Sequence, residues 1–501
     1  MSNLLPSDLS KVDPQQAWQP WVPDDQQPWD AKWVAHFYRR AGFGGSVAEI
    51  EQAVKEGFPA TLERLLNGSP QAQQRLDLLE WVAESFDQAE ALSSMQCWWI
   101  YLMLHGGHPL REKMTLFWHN HFATSIAKVH RASLMHRQNQ LVRKHALGRF
   151  GPFLHEMSRD VAMLIWLDSN ENVKAHPNEN FAREVMELFS LGVGNYKEKD
   201  IQEAARAFTG WHTDSTQDAF EFTKDAHDYE EKTVLGQRGK WDGDDVLTIL
   251  LKQPATANFL VGKLYRDFVS ETPPPKGLLD PLREQFRKSD YDTTSLMKTL
   301  LGSRLFFSEH AFLKRVKNPV EFVLGAIHSA WPGSAAPSAL IEPLQRMGQN
   351  LFAPPNVKGW VGGKTWLNNA TLLARNNFAE DVAMGRGFTR AVSYPNFAKE
   401  VEAVATELDK SPKGTGKEQA ELPPPPIDFD LVKRFDLKKA SDAALLINRL
   451  GELFLPGYLP ERAKSKLQAY LSDGKPTGAK LDTRIREAAH AVMCMPEYQL
   501  C

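Results

Sequence analysis

The sequence predicts a mostly α, multi-helical globular fold with one small β-hairpin near residues 220–235. Apolar residues recur at helical spacing through most windows. Capping residues open several of these windows, and glycines stand just past their ends. A convincing strand signal occurs once. The chain has 501 residues, 42% hydrophobic and 24% charged, enough apolar material for a sizeable core in an ordinary globular protein.

Residues 1–30 are rich in Pro, Trp, Asp and Gln. They read as an extended arm whose Trp18, Trp21 and Trp29 pack onto a helical body spanning 31–405. In that body a short helix from Trp33 to Arg40 ends at Gly42-Phe43-Gly44-Gly45, and Ser46 with Glu49 forms a capping box for the next helix. Helical periodicity continues through 59–66, 72–104 and 109–122, then Met135–Leu147 and Phe153–Leu167. Asn178 is placed to cap a helix running to about Leu191, where Gly192 and Gly194 stop it. Phe220-Glu221-Phe222 and Thr233-Val234-Leu235 flank a turn-rich stretch and read as the hairpin. Helices resume at 243–252, 254–270, 278–287 and 293–302. Leu351–Trp366 sets Pro354-Pro355 and three glycines among aromatics, and reads as an ordered loop. Residues 406–430 are a Pro/Gly-rich linker or insert, and 431–501 a C-terminal helical segment.

Net charge is −3, from 59 basic and 62 acidic residues. That balance gives no footprint for nucleic acid, and no nucleic-acid partner is expected. A local basic stretch, Lys128 to Arg149, reads as a solvated helix face. Cys97, Cys494 and Cys501 are too few for a disulfide framework and lack zinc-site spacing. Met1 to Gln19 holds no apolar run for a signal peptide and no twin-arginine segment. No window approaches the ~20 apolar residues of a transmembrane segment. The expectation is a cytoplasmic protein, with an exported pathway as the alternative.

Two segments crowd polar groups among large apolar ones. They are Glu112-Lys113-Met114-Thr115-Leu116-Phe117-Trp118-His119-Asn120-His121-Phe122 and Pro177-Asn178-Glu179-Asn180-Phe181-Ala182-Arg183-Glu184-Val185-Met186-Glu187-Leu188. Such groups are costly to bury unless they find partners or perform chemistry.

With Arg39-Arg40-Ala41-Gly42-Phe43-Gly44, Leu167-Asp168, Ala205-Arg206-Ala207 through Trp211, His227-Asp228 with Lys232, Lys263-Leu264-Tyr265, Pro354-Pro355-Asn356-Val357-Lys358-Gly359-Trp360 and Pro496-Glu497-Tyr498-Gln499-Leu500, these segments make the chain resemble a large bacterial family known as domain of unknown function 1800. The motifs run from about residue 36 to the C-terminus. The resemblance implies no reaction. It implies a sulfatase-like or phosphatase-like neighbour as partner, since members are often encoded beside one, and a shared exported or envelope pathway. Where the family often has a His before its Pro-Ala-Thr segment, this chain has Gln253.

The residues themselves suggest chemistry. Asn180, Glu184 and Glu187 share one helix face, and two close carboxylates push one pKa up and leave the other low. The plainer alternative pairs Glu187 with Arg183 and leaves Glu184 in water. His119 and His121 point about 200° apart on a regular helix, so they do not chelate one ion; His121 is expected to face inward. His227-Asp228 sits at a turn, where an Asp orients an imidazole, joins it on a metal, or caps an Asx-turn. Trp118, Trp166, Trp211, Trp360 and Trp366 sit in or near the motif segments, where tryptophans with nearby acids suit a sugar face, or else core; Trp118 and Trp211 are the two expected to contact substrate.

The leading expectation is a hydrolase-like enzyme acting on a glycan or other cell-envelope polymer. Its catalytic groups are Glu184, Glu187 and His121. Arg183, Arg206, Asn180, Trp118 and Trp211 contact substrate. In its metal-dependent form a divalent metal ion is held by His121, His227 and Asp228; in its metal-free form Glu and His act as acid and base. The other expectation is a non-catalytic scaffold whose polar centre is structural.

Overall fold

In the computed structural model the described residues are 5–87, 92–330, 335–386 and 443–501. The expected linker at 406–430 lies outside them, as do residues 387–405 of the expected body and 431–442 of the C-terminal segment.

Among the described residues the fold is mostly α, with four short strands in two separate sheets. The helix starts follow the sequence signals. Asp30 caps Ala31–Ala41 by accepting from the amide of Trp33. Ser46 and Glu49 cap each other at Val47–Glu56, and Asn178 accepts from the amide of Asn180 at 2.9 Å. Near the N-terminus two short helical turns, Leu9–Lys11 and Pro14–Ala17, interrupt the extended course. The Trp18 indole donates to the Leu278 carbonyl, the Trp29 indole to that of Ala53, and Trp21 stacks on Phe307 at 4.2 Å.

The helix Pro109–His121 runs between two apolar cores. Met114, Phe117 and Trp118 enter the first, while Leu116 enters the second together with Trp99, Phe322 and Phe352. The position explains why its polar residues are buried on every side. Glu112, 1% exposed, takes two bonds from Arg143, at 2.8 and 3.0 Å, and one from the Trp99 indole. Lys113 and Arg315 both meet the Glu321 carboxylate. His119 and His121 are both buried, where one inward histidine was expected. His119 enters the second core against Trp99 and Phe352, and His121 enters the first against Phe122 and Phe189. The basic stretch is paired rather than simply solvated: Lys128 meets Asp168, Arg131 meets Asp218, Lys144 meets Glu156 and Arg149 meets Asp290.

The strands correct the expected pairing. Ala219–Phe222 (β2) pairs antiparallel with Trp211–Asp214 (β1), and Lys232–Val234 (β3) with Gln237–Gly239 (β4). β2 and β3 form elements as expected but belong to different hairpins. Leu235 and Gly236, both at positive φ (49° and 80°), give β3 a tight two-residue turn that joins it to the next strand instead.

Three C-terminal helices, Ala443–Phe454, Glu461–Ser472 and Gly478–Met493, contribute to the second core through Ile447, Leu471 and Ile485 among others. Beyond them Leu500 forms an isolated antiparallel bridge with Val316. The 351–366 loop is anchored: Trp360 and Trp366 form a small cluster with Val316.

Candidate functional site

The region around His121 is built from three helices and a loop. The helix Glu179–Glu184 widens into a π-helical turn over Val185–Ser190. There the Leu191 amide reaches five residues back to Met186, and the Ser190 hydroxyl donates to the Val185 carbonyl at 2.6 Å. Such turns leave backbone groups free for other partners and recur at functional sites. Here the Phe189 carbonyl lies 3.1 Å from Nε2 of His121. A carbonyl only accepts, so Nε2 carries the proton. Burial and the nearby Lys263 ammonium hold the imidazole well below its usual pKa, so the ring is neutral and Nδ1 is an acceptor. Lys263, on the helix Pro254–Phe268, fills that acceptor at 2.8 Å.

His121 and Lys263 line one side of a cleft of about 270 Å³. Lys113, Arg266, Arg315 and Lys358 also line it, against two acids, Asp267 and Glu271; Phe117, Trp360 and Trp366 supply apolar wall. Glu321, from behind, engages Lys113 and Arg315. Arg315 also stands 3.5 Å from Asp267, and Glu271 accepts from the Val316 amide at 3.0 Å. Among the described residues, no carboxylate lies within ion-pair distance of Lys263, Arg266 or Lys358. Burial, opposed by Asp267 and assisted by Arg266, brings the Lys263 pKa down to about 8. The cleft therefore offers three cations with no carboxylate at ion-pair distance, Arg266 and Lys358 of them exposed, and the amine of Lys263 has its pKa brought down to about 8.

The 351–366 loop supplies Lys358, Trp360 and Trp366 to the lining, and Asn120 holds it. Its Oδ1 accepts from the Trp360 amide at 2.7 Å and its Nδ2 donates to the Trp360 carbonyl at 3.2 Å.

The expected site residues distribute around this cleft unevenly. His121 lines it. Glu184 does not, but it is half-buried, and burial together with Glu187 raises its pKa while Lys358, on the cleft, opposes the rise. Glu187 accepts from the Tyr196 hydroxyl at 2.5 Å. Asn180 donates to Asp168, not towards the cleft. Arg183 pairs with Glu179 and Glu198, so the expected partner Glu187 is replaced by acids on both flanks. Arg206 holds Asp228 at 2.7 Å and Glu203 at 3.3 Å. Trp118, fully buried, donates to the Ala146 carbonyl; Trp211, 3% exposed, is enclosed by Phe181, Phe208 and Phe220. Neither indole presents a face to a sugar, because both complete the first core.

The three expected metal ligands do not form a set. His121 has one nitrogen on a carbonyl and the other beside an ammonium. His227 bonds the Thr209 carbonyl through Nδ1 at 2.8 Å, between Phe222 and Tyr229. Asp228 is held by Arg206. No group of three or more His, Cys, Asp and Glu among the described residues stands close enough to hold a metal ion, so these side chains do not fit the group expected of them.

Lys263, Arg266 and Lys358 carry no role in the sequence reading, although Lys263 and Lys358 stand inside its motif segments. A lone lysine between Val261 and Leu264 was the available signal.

A family model described as protein of unknown function (DUF1800) matches residues 36–500, nearly the whole chain. The protein is a member of the DUF1800 family. The match spans every element of the cleft, from the helix bearing His121 to the loop bearing Trp360. No curated protein and no solved structure matches this DUF1800 chain. No helix among its described residues is long and apolar enough to cross a membrane.

Proposed function

We propose that this DUF1800 protein is an enzyme that holds an acidic glycan in the Lys263–His121 cleft and cleaves it by acid–base chemistry. One observation carries the reading: an amine whose hydrogen-bond partner is a neutral imidazole faces a cleft with two further cations free of carboxylate partners. An anionic substrate supplies the missing counter-charge. Trp360 and Trp366 offer the apolar wall that sugar rings prefer, the part first sought in Trp118 and Trp211. The amine, near pKa 8, is matched to proton transfer at ordinary pH. Lys263 takes the role expected of Glu184 and Glu187, with His121 orienting it.

The test is equilibrium binding of an oligogalacturonate and of a neutral maltooligosaccharide to the wild type and to an Arg266→Ala/Lys358→Ala variant. Preferential binding of the acidic sugar, weakened tenfold or more in the variant, is expected. Equal binding of both sugars, or no loss in a folded variant, overturns the reading. Binding without cleavage of any acidic polymer leaves the non-catalytic alternative.

A further inference from the structure

The cleft presents the amine of Lys263 together with two carboxyls, Asp267 and Glu271. Glycoside hydrolysis ordinarily uses two carboxyls flanking the bond, one of them an acid. The two carboxyls of this cleft are engaged by the protein, Asp267 with Arg315 and Glu271 with the Val316 amide. The groups left for substrate are Arg266, Lys358 and Lys263. Cations of this kind neutralise a carboxylate and make the carbon–hydrogen bond beside it more acidic, because charge moving into the carboxylate is stabilised. An amine then has a proton to take.

We propose that the cleft cleaves uronate-containing glycans by β-elimination, with Lys263 as the catalytic base. The proposal rests on the acidic-glycan reading above. Arg266 and Lys358 hold the uronate carboxylate. The free amine of Lys263 takes the proton from the carbon bearing that carboxylate. The electron pair of the broken C–H bond forms a double bond to the neighbouring carbon, whose bond to the glycosidic oxygen breaks. The leaving oxygen receives a proton from the Lys263 ammonium, which returns to the amine. One polymer becomes two fragments, one carrying a conjugated double bond, and no water is consumed. His121 is a positioning residue. Its Nδ1 accepts one N–H of the amine, which aims the lone pair away from the ring, and the Phe189 carbonyl fixes the tautomer that makes this so.

The experiment incubates the full chain with polygalacturonate, alginate and hyaluronan in heavy-oxygen water. It reads ultraviolet absorbance of the conjugated double bond and isotope content by mass spectrometry. Expected are fragments with the double bond and no heavy oxygen, and loss of at least a hundredfold in rate in Lys263→Arg with binding retained. His121→Asn should shift the pH profile as well as the rate, which a merely structural role would not do. Fragments carrying heavy oxygen and no double bond overturn elimination while leaving the acidic-glycan reading. Binding of these polymers without cleavage overturns elimination together with the enzymatic half of that reading, and leaves its acidic-glycan binding standing. Neither binding nor cleavage overturns both. Full activity in Lys263→Arg removes the assigned base.

Discussion

The ammonium of Lys263 donates to Nδ1 of His121 across 2.8 Å, and the ring can receive it because Nε2 is engaged by the Phe189 carbonyl. An ammonium beside an acceptor without charge, inside a protein, is held less firmly than one beside a carboxylate. Burial is the main reason its pKa stands near 8 rather than the usual 10.5, with Asp267 opposing the fall and Arg266 adding to it.

That shift fixes a pH dependence. A base works as the free amine, so kcat/KM of the cleavage should rise with pH and level off above about 8. Stability carries the same signature. Between about 8 and 10.5 the unfolded chain binds a proton that the folded one has released, so stability rises with pH through that window. Below about 8 both states are protonated and the cost of the buried ammonium is fully felt. Lys263→Met should flatten this rise, read as melting temperature against pH. An identical slope in the variant would assign the rise to other groups.

Glu184 gives a prediction of opposite origin. Burial and Glu187 raise its pKa, so the native state favours the protonated form. The stability it contributes is present below the ordinary carboxyl value of 4.5 and lost as pH rises through the higher folded value. Glu184→Gln should therefore match or slightly exceed wild-type stability at neutral pH, within about 1 kcal/mol. The advantage should vanish in acid. Because Glu184 lies outside the cleft lining, cleavage should persist. Abolished activity with unchanged folding would return the catalytic role to this carboxylate.

The fold was legible where periodicity is local. Ser46 with Glu49 and Asn178 announced helix starts that chain-neighbour contacts alone determine. The strand partners were not, since the Leu235-Gly236 turn competes with a longer connection and only backbone geometry decides. The site was half legible. His121 stood out as a polar group among aromatics. Lys263 did not, because a lysine on a helix ordinarily reads as solvated; its contact with His121, 142 residues away in the chain, is made only by the tertiary fold. Trp118 and Trp211 misled for the matching reason, since a tryptophan beside acids looks the same in sequence whether its face meets a sugar or Phe150 and Phe208.

Glu321 tests the scaffold beneath the cleft. Its carboxylate meets both Lys113 and Arg315, all three nearly inaccessible to water, and it accepts from the Asn318 amide at 2.8 Å. Removing one charge from such a set leaves buried cations uncompensated, which costs about 3–5 kcal/mol. Glu321→Gln should lose stability of that order in chemical denaturation. A loss below about 1 kcal/mol would mean that water reaches the cluster.

The loop wall provides the last prediction. Gly359 has φ +72°, a conformation that side chains disfavour, and a Cβ built there would stand 2.1 Å from Oδ1 of Asn120. That oxygen is the acceptor for the Trp360 amide. Gly359→Ala must therefore expel Asn120 from its place or rotate the loop. Either change breaks the pair of bonds that sets Trp360 against the cleft. Asn120→Ala breaks the same pair without touching the backbone, leaving a buried amide and carbonyl short of partners at about 1–3 kcal/mol. Both variants should weaken acidic-sugar binding and red-shift tryptophan fluorescence as Trp360 meets water. Gly359→Ala should do more, since it adds backbone strain to the lost bonds. Since neither substitution removes a bond that Lys263 or His121 makes, the pH at which the remaining activity levels off should stay where Lys263 sets it. A moved pH profile in either variant would show instead that the loop controls the electrostatics of the amine.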